Sequence, residues 1–120
     1  MSGVEEIRRQ LIGEELTGVT FVCDYIQLQF SPPPTFNIYS ACEVSVDGRS
    51  SRFGEESFAN MLISCLNTEV AEVEDDPTKK QVQIQLKGGS RITIPYREGT
   101  FDEPEAAEFA GRDEVWVVWP

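Results

Sequence analysis

The clearest pattern in the chain is an alternation of apolar residues with glutamine that occurs twice. Tyr25-Ile-Gln-Leu-Gln-Phe30, a turn and Phe36-Asn-Ile-Tyr-Ser40 return as Gln81-Val-Gln-Ile-Gln-Leu86, a turn and Arg91-Ile-Thr-Ile-Pro95. At one constant offset Ile26 falls on Val82, Leu28 on Ile84, Phe30 on Leu86, Phe36 on Ile92 and Ile38 on Ile94. A period of two predicts strands with one face on a core and the other in water.

The flanking segments extend the repeat. Val4, Ile7, Leu11 and Ile12 form a helical stripe, Ser2 and Glu5 fit a capping box, and Gly13 is a natural stop. Leu16 to Cys23 predicts a strand leading into the first hairpin, whose turn is Ser31-Pro-Pro-Pro-Thr35. One parity then runs from Phe36 to Val46, which predicts a long bent strand ending at the Asp47-Gly48 turn, with Arg49-Ser-Ser-Arg52 as a polar connection.

A second helix is expected from near Gly54, with Phe58, Met61, Leu62, Cys65 and Leu66 on its core face and Glu55 and Glu56 in its first turn. Leu62-Ile63 echoes Leu11-Ile12, and Val70 and Val73 echo Val19 and Val22. Asp75 to Lys79 and Lys87-Gly-Gly-Ser90 read as turns. Beyond Tyr96 the chain becomes acidic; Asp102 to Gly111 predicts a short third helix and Val115 to Pro120 a closing strand.

The expected fold is therefore α+β: two duplicated α-β-β-β units (about 3–46 and 54–96), followed by a helix and strand over 97–120. They would form one domain, a bent antiparallel sheet or partly open barrel with packed helices. A length of 120 residues suits a single core.

Charge narrows the function classes. Twenty-one acidic residues face 10 basic ones, a net charge of −11, and the basic residues do not cluster. Phosphate neutralisation needs a basic footprint, so nucleic acid is an unsuitable partner, and so is an anionic membrane surface. A basic protein suits the charge. No stretch approaches a membrane span and the N-terminus lacks a signal-peptide centre, so the expected compartment is the cytoplasm.

The chain has no histidine, which removes the commonest general base and metal ligand. Cys23, Cys42 and Cys65 show no metal spacing and read as buried small hydrophobes. The Glu72, Glu74, Asp75, Asp76 run lacks the pattern of a calcium loop. Arg49 and Arg52 sit near a helix start where an anion would be held, but Glu55 and Glu56 already supply negative charge there. Neither a metal, a cofactor nor catalytic residues are expected.

Three sets of candidates remain. Gln27, Gln29, Gln81, Gln83 and Gln85 would line a flat amide surface, competing with the reading of a plainly solvated face. Asp24, Tyr25 and Tyr39 could bind a small ligand, or the tyrosines could be hydrogen-bonded structural phenols. Trp116 and Trp119 could anchor a partner, or a second copy by strand addition, or could close the core.

The second hairpin and Glu105-Ala-Ala-Glu-Phe109 together resemble small acidic bacterial proteins over about Leu62 to Phe109, with Lys87-Gly88-Gly89 where Asp-Gly is usual. Some similar proteins are immunity proteins that neutralise a toxin. The resemblance implies no catalytic residues. The leading expectation is a non-enzymatic protein–protein interaction domain, immunity-type in one version, binding a basic partner. The alternative is a small-molecule module on a concave sheet face around Tyr25 and Tyr39.

Overall fold

A computed structural model describes residues 3–97 and 105–120. Helix α1 spans Gly3–Leu11. Five strands follow: β1 Gly18–Val22, β2 Tyr25–Gln29, β3 Thr35–Ile38, β4 Glu43–Val46 and β5 Arg49–Arg52. Helix α2, Phe58–Ile63, opens a second run with β6 Val70–Asp76, β7 Gln81–Leu86, β8 Arg91–Pro95, β9 Ala107–Ala110 and β10 Trp116–Trp119.

The strands form two open antiparallel sheets, ordered β1-β2-β3-β9-β10 and β5-β4-β8-β7-β6. Each sheet thus takes a three-strand meander from one part of the chain and a hairpin from the other. Ile26 pairs with Ile38 and Leu28 with Phe36, as Val82 pairs with Ile94 and Ile84 with Ile92. A single bent sheet or barrel was the expectation. Two sheets arise because the predicted strand from Phe36 to Val46 breaks at Tyr39–Cys42, β3 staying in one sheet and β4 joining the other.

Three further expectations are corrected. Arg49–Arg52 is not a loop but strand β5, paired with β4 through a two-residue turn at Asp47 and Gly48, both at positive φ. Asp75 and Asp76 belong to strand β6 and not to the turn. The third helix, expected over Asp102–Gly111, falls partly outside the described residues; within them Ala107–Ala110 is strand β9. There Ala107 and Phe109 are buried at alternate positions and pair with Ile38 and Phe36. Completing the open edge of β3 outweighs the modest helix preference of Ala and Glu.

The apolar parities of both sheets meet in one buried cluster, with Phe30, Phe36 and Phe109 fully enclosed. Burial of each such side chain contributes roughly 1.5–3 kcal/mol. The helices bridge the two sheets at their edge strands. Arg8 of α1 bonds Glu72 of β6, while Gly3 lies against Val117 of β10. Phe58 of α2 meets Phe21 of β1 edge-on and Phe53 just beyond β5. Acidic residues in the first turn of α1 and arginines in its last complement the helix dipole. Among the described residues no helix is long and apolar enough to cross a membrane.

Candidate functional site

Strand parity divides the candidates between two faces. In the first sheet Ile26, Leu28, Phe36, Ile38, Ala107 and Phe109 turn to the core. The alternate residues turn outward, and registration aligns Thr20, Gln27, Asn37, Glu108 and Val118 in one row across the five strands. Tyr25, Tyr39, Gln27, Gln29 and Trp116 all belong to this outer face. It points away from the core, so the tyrosines do not look into the space between the sheets.

Hydrogen bonds tie this face into a directional amide chain. Gln29 Nε2 donates to Gln27 Oε1 at 3.0 Å, Gln27 Nε2 to Asn37 Oδ1 at 2.8 Å, and Asn37 Nδ2 to Glu108 Oε1 at 3.0 Å. Gln29 also reaches the Thr20 hydroxyl at 3.3 Å. Aligned amides polarise one another, and the negative end of this chain is the Glu108 carboxylate. Beside it the rings of Tyr25 and Tyr39 lie 5.0 Å apart, tilted by 48°. The Tyr39 phenol is held above its ordinary pKa, first by burial and then by the Glu108 charge, against an opposing hydrogen bond with Asn37. Trp116, on the edge strand, is 64% exposed. None of the five strands carries a lysine or arginine, and among the described residues no cation pairs with Glu108.

The other candidates lie elsewhere. Gln83 and Gln85, with Gln81, occupy the outer face of the second sheet, where Gln83 shares a row with Glu74, Thr93, Glu43 and Arg52. Arg52 and Glu43 are 3.7 Å apart, so this face carries its own counter-charges. The two tryptophans are also separated. Trp119 is only 6% exposed and turns to the core, where it stacks on Phe36 at 5.5 Å and 13°. Asp24 and Cys23 form the exposed turn between β1 and β2. The expectation of three buried thiols is thus corrected: Cys42 and Cys65 are buried and Cys23 is not, because the strand ends at Val22. Burial pushes the Cys42 thiol up to about 12, which makes it a packing group and not a nucleophile.

Asn37 and Glu108 escape a reading of the sequence alone. Asn37 had a usable signal, since it lies midway between Phe36 and Ile38 and faces Gln27. Glu108 had none, because its strand is recognisable only once β3 needs a neighbour.

Among the hollows formed by the described residues, two bear on these candidates. One of about 430 Å³ lies along β6 beside Val4 and Asp76; the Arg8–Glu72 pair lines it. A second, of about 320 Å³, lies between Tyr39, Ser40, Tyr96 and Glu105. There the Ser40 hydroxyl oxygen is buried and makes no hydrogen bond. Among the described residues no cluster of three or more acidic or sulfur side chains could hold a metal ion. No protein-family model, curated protein or solved structure matches the chain.

Proposed function

We propose that the protein is a non-enzymatic interaction domain whose docking surface for a basic protein partner is the outer face of the first sheet. The observation that carries this reading is the exposed Trp116 on a face that also holds the amide chain and whose five strands carry no lysine or arginine. A large exposed indole beside satisfied polar groups is the composition of an interface centre and its rim. The net charge of −11 would speed encounter with a basic surface. An immunity-type role is one form of this reading, and the same charge supports it.

The test is capture of basic proteins at low salt with the protein and with two variants. A basic partner should be retained by the unaltered protein and by Gln83→Ala, and lost with Trp116→Ala combined with Gln27→Lys. Equal retention by all three would reject the surface.

A second reading, a small-molecule module, draws on the partnerless Ser40 hydroxyl in the 320 Å³ hollow. A buried hydroxyl without a partner is costly, and a ligand acceptor would relieve it. A reproducible adduct in native mass spectrometry that disappears in Ser40→Ala would favour it.

We further propose that the chain is a duplication of an α-β-β-β-β-β unit whose terminal hairpins are exchanged between the halves. The matching strand orders and hairpin registers support it. So does the isolated antiparallel bridge between Glu15 and Glu69, each just ahead of the first strand of its half. If so, a permutant beginning at Gly54 and ending at Phe53, with a short linker from Pro120 to Met1, keeps the far-ultraviolet spectrum and cooperative unfolding of the parent. A permutant without cooperative unfolding would count against exchanged, equivalent halves.

A further inference from the structure

We propose that Glu108 is the receptor for a guanidinium group, an arginine side chain of the basic partner, held against the carboxylate beside the Tyr25–Tyr39 pair. This rests on the reading of the outer face as a docking surface. Four observations lead to it. The amide chain from Gln29 through Gln27 and Asn37 donates at every step toward Glu108, so the N–H ends of aligned amides stabilise its carboxylate in the charged form on the outer face of β9. Asn37 fixes one carboxylate oxygen and so orients the group. Glu108 is partly buried, yet no cation balances it among the described residues, whereas the acidic residues Glu5, Glu6, Glu14, Glu43, Glu69 and Glu72 all sit in ion pairs. The next outward residue along β9 is Ala110, which carries only a methyl group, and Glu108 itself remains partly exposed.

The class of cation follows from the shape of the site. A planar guanidinium can meet a carboxylate through two parallel N–H donors and lie against an aromatic ring at the same time. An ammonium is a more strongly hydrated point charge and gains less from either contact. Strand register places Tyr39 and Glu108 side by side: Tyr39 follows Asn37, the partner of Glu108, at the next outward position, and its N–H bonds the Ala106 carbonyl two residues before Glu108. On the second sheet Glu43, likewise one strand in from the edge, already has Arg52, whereas no strand of the first sheet carries a cation.

The experiment is a titration of isotope-labelled protein with the capped peptide Gly-Arg-Gly-Arg-Gly and its lysine counterpart, followed by amide and indole resonances. The arginine peptide should shift the side-chain amides of Gln27 and Asn37 and the indole of Trp116. Glu108→Gln should weaken it about tenfold, the effect of about 1.4 kcal/mol. Glu74→Gln removes the same charge from the other sheet and should change affinity less than twofold. The amide spectrum of each variant reports whether it is folded. Equal binding of the two peptides, or equal loss in the two variants, with Trp116 still shifting, would overturn the arginine receptor and leave the docking face standing. No shift anywhere on that face would overturn both.

Discussion

Trp119 donates its indole N–H to Asp75 at 3.3 Å, joining the last strand of one sheet to the edge strand of the other. The Tyr96 hydroxyl donates to the second oxygen of the same carboxylate at 2.6 Å. A carboxylate with two ring donors from separate segments acts as a tie between the sheets. Replacing it leaves a buried indole N–H unpaired. Asp75→Ala should destabilise the protein by roughly 1.5–3 kcal/mol, read as a lower urea midpoint. Asp75→Asn, which keeps an acceptor, should lose less. Equal stability in all three would mean that the tie contributes nothing.

The same contact sets an alkaline limit. Burial raises the Tyr96 pKa, as do the hydrogen bond to Asp75 and the charges of Asp75 and Asp76. A phenol more reluctant to ionise in the folded chain stabilises it at all pH values below the unfolded pKa of about 10. That contribution then falls as pH rises toward the higher folded value, because the unfolded chain releases its proton first. Unfolding free energy should therefore decline above about pH 10, and decline less in Tyr96→Phe. Parallel curves for the two proteins would remove Tyr96 as the cause.

At the acid end the corresponding group is Glu72. Its carboxyl is held below the usual range, chiefly by the hydrogen bond from Arg8, with help from the Val73 amide. Arg8 bonds it through two nitrogens, at 2.7 and 3.1 Å, which fastens α1 to β6. A depressed folded pKa contributes stability above the unfolded value near 4.3 and loses it as pH falls through the folded value. Glu72→Gln should flatten the acid limb of the stability curve. An unchanged limb would show that another carboxylate governs acid unfolding.

Trp116 and Trp119 separate surface from core within one short strand. Trp119→Ala removes a ring stacked on Phe36 and should cost roughly 3–5 kcal/mol. Trp116→Ala alters an exposed position and should stay within about 0.5 kcal/mol. Chemical denaturation of both variants gives the comparison. A large loss from Trp116→Ala would return that residue to a structural role and weaken the case for the proposed docking surface.

What the chain discloses in advance follows from how local each pattern is. The hairpins β2–β3 and β7–β8 are legible because Ile26, Leu28, Val82 and Ile84 carry their own two-residue period beside a turn. The outward set of Tyr25, Gln27, Gln29 and Tyr39 follows from that parity. The exchange of hairpins is not legible, since nothing in Glu43–Val46 or Ala107–Ala110 states which sheet it will join. Ala-Ala-Glu-Phe favours a helix in isolation and becomes a strand because Phe36 and Ile38 offer an unpaired neighbour. The carboxylate of Glu108 enters the site by the same long-range pairing, so the centre of the candidate surface is invisible before the fold is known.

Gln10 shows how α1 is fastened to the hairpin that completes the first sheet. Its side chain is buried and pairs with the backbone of Arg112, donating to the carbonyl at 3.1 Å and accepting from the N–H at 2.6 Å. The amide thus imitates one rung of a strand ladder at the β9–β10 turn, where Asp113 and Glu114 adopt positive φ. Gln10→Leu keeps the volume but leaves a backbone donor and acceptor unpaired, and should cost roughly 1–3 kcal/mol. Hydrogen exchange locates the effect: the Arg112 amide should exchange faster in the variant while those of β7 and β8 keep their protection. If Arg112 is unaffected, the helix is held by its apolar face, through Ile7 and Leu11, and by the Arg8–Glu72 pair, without help from Gln10.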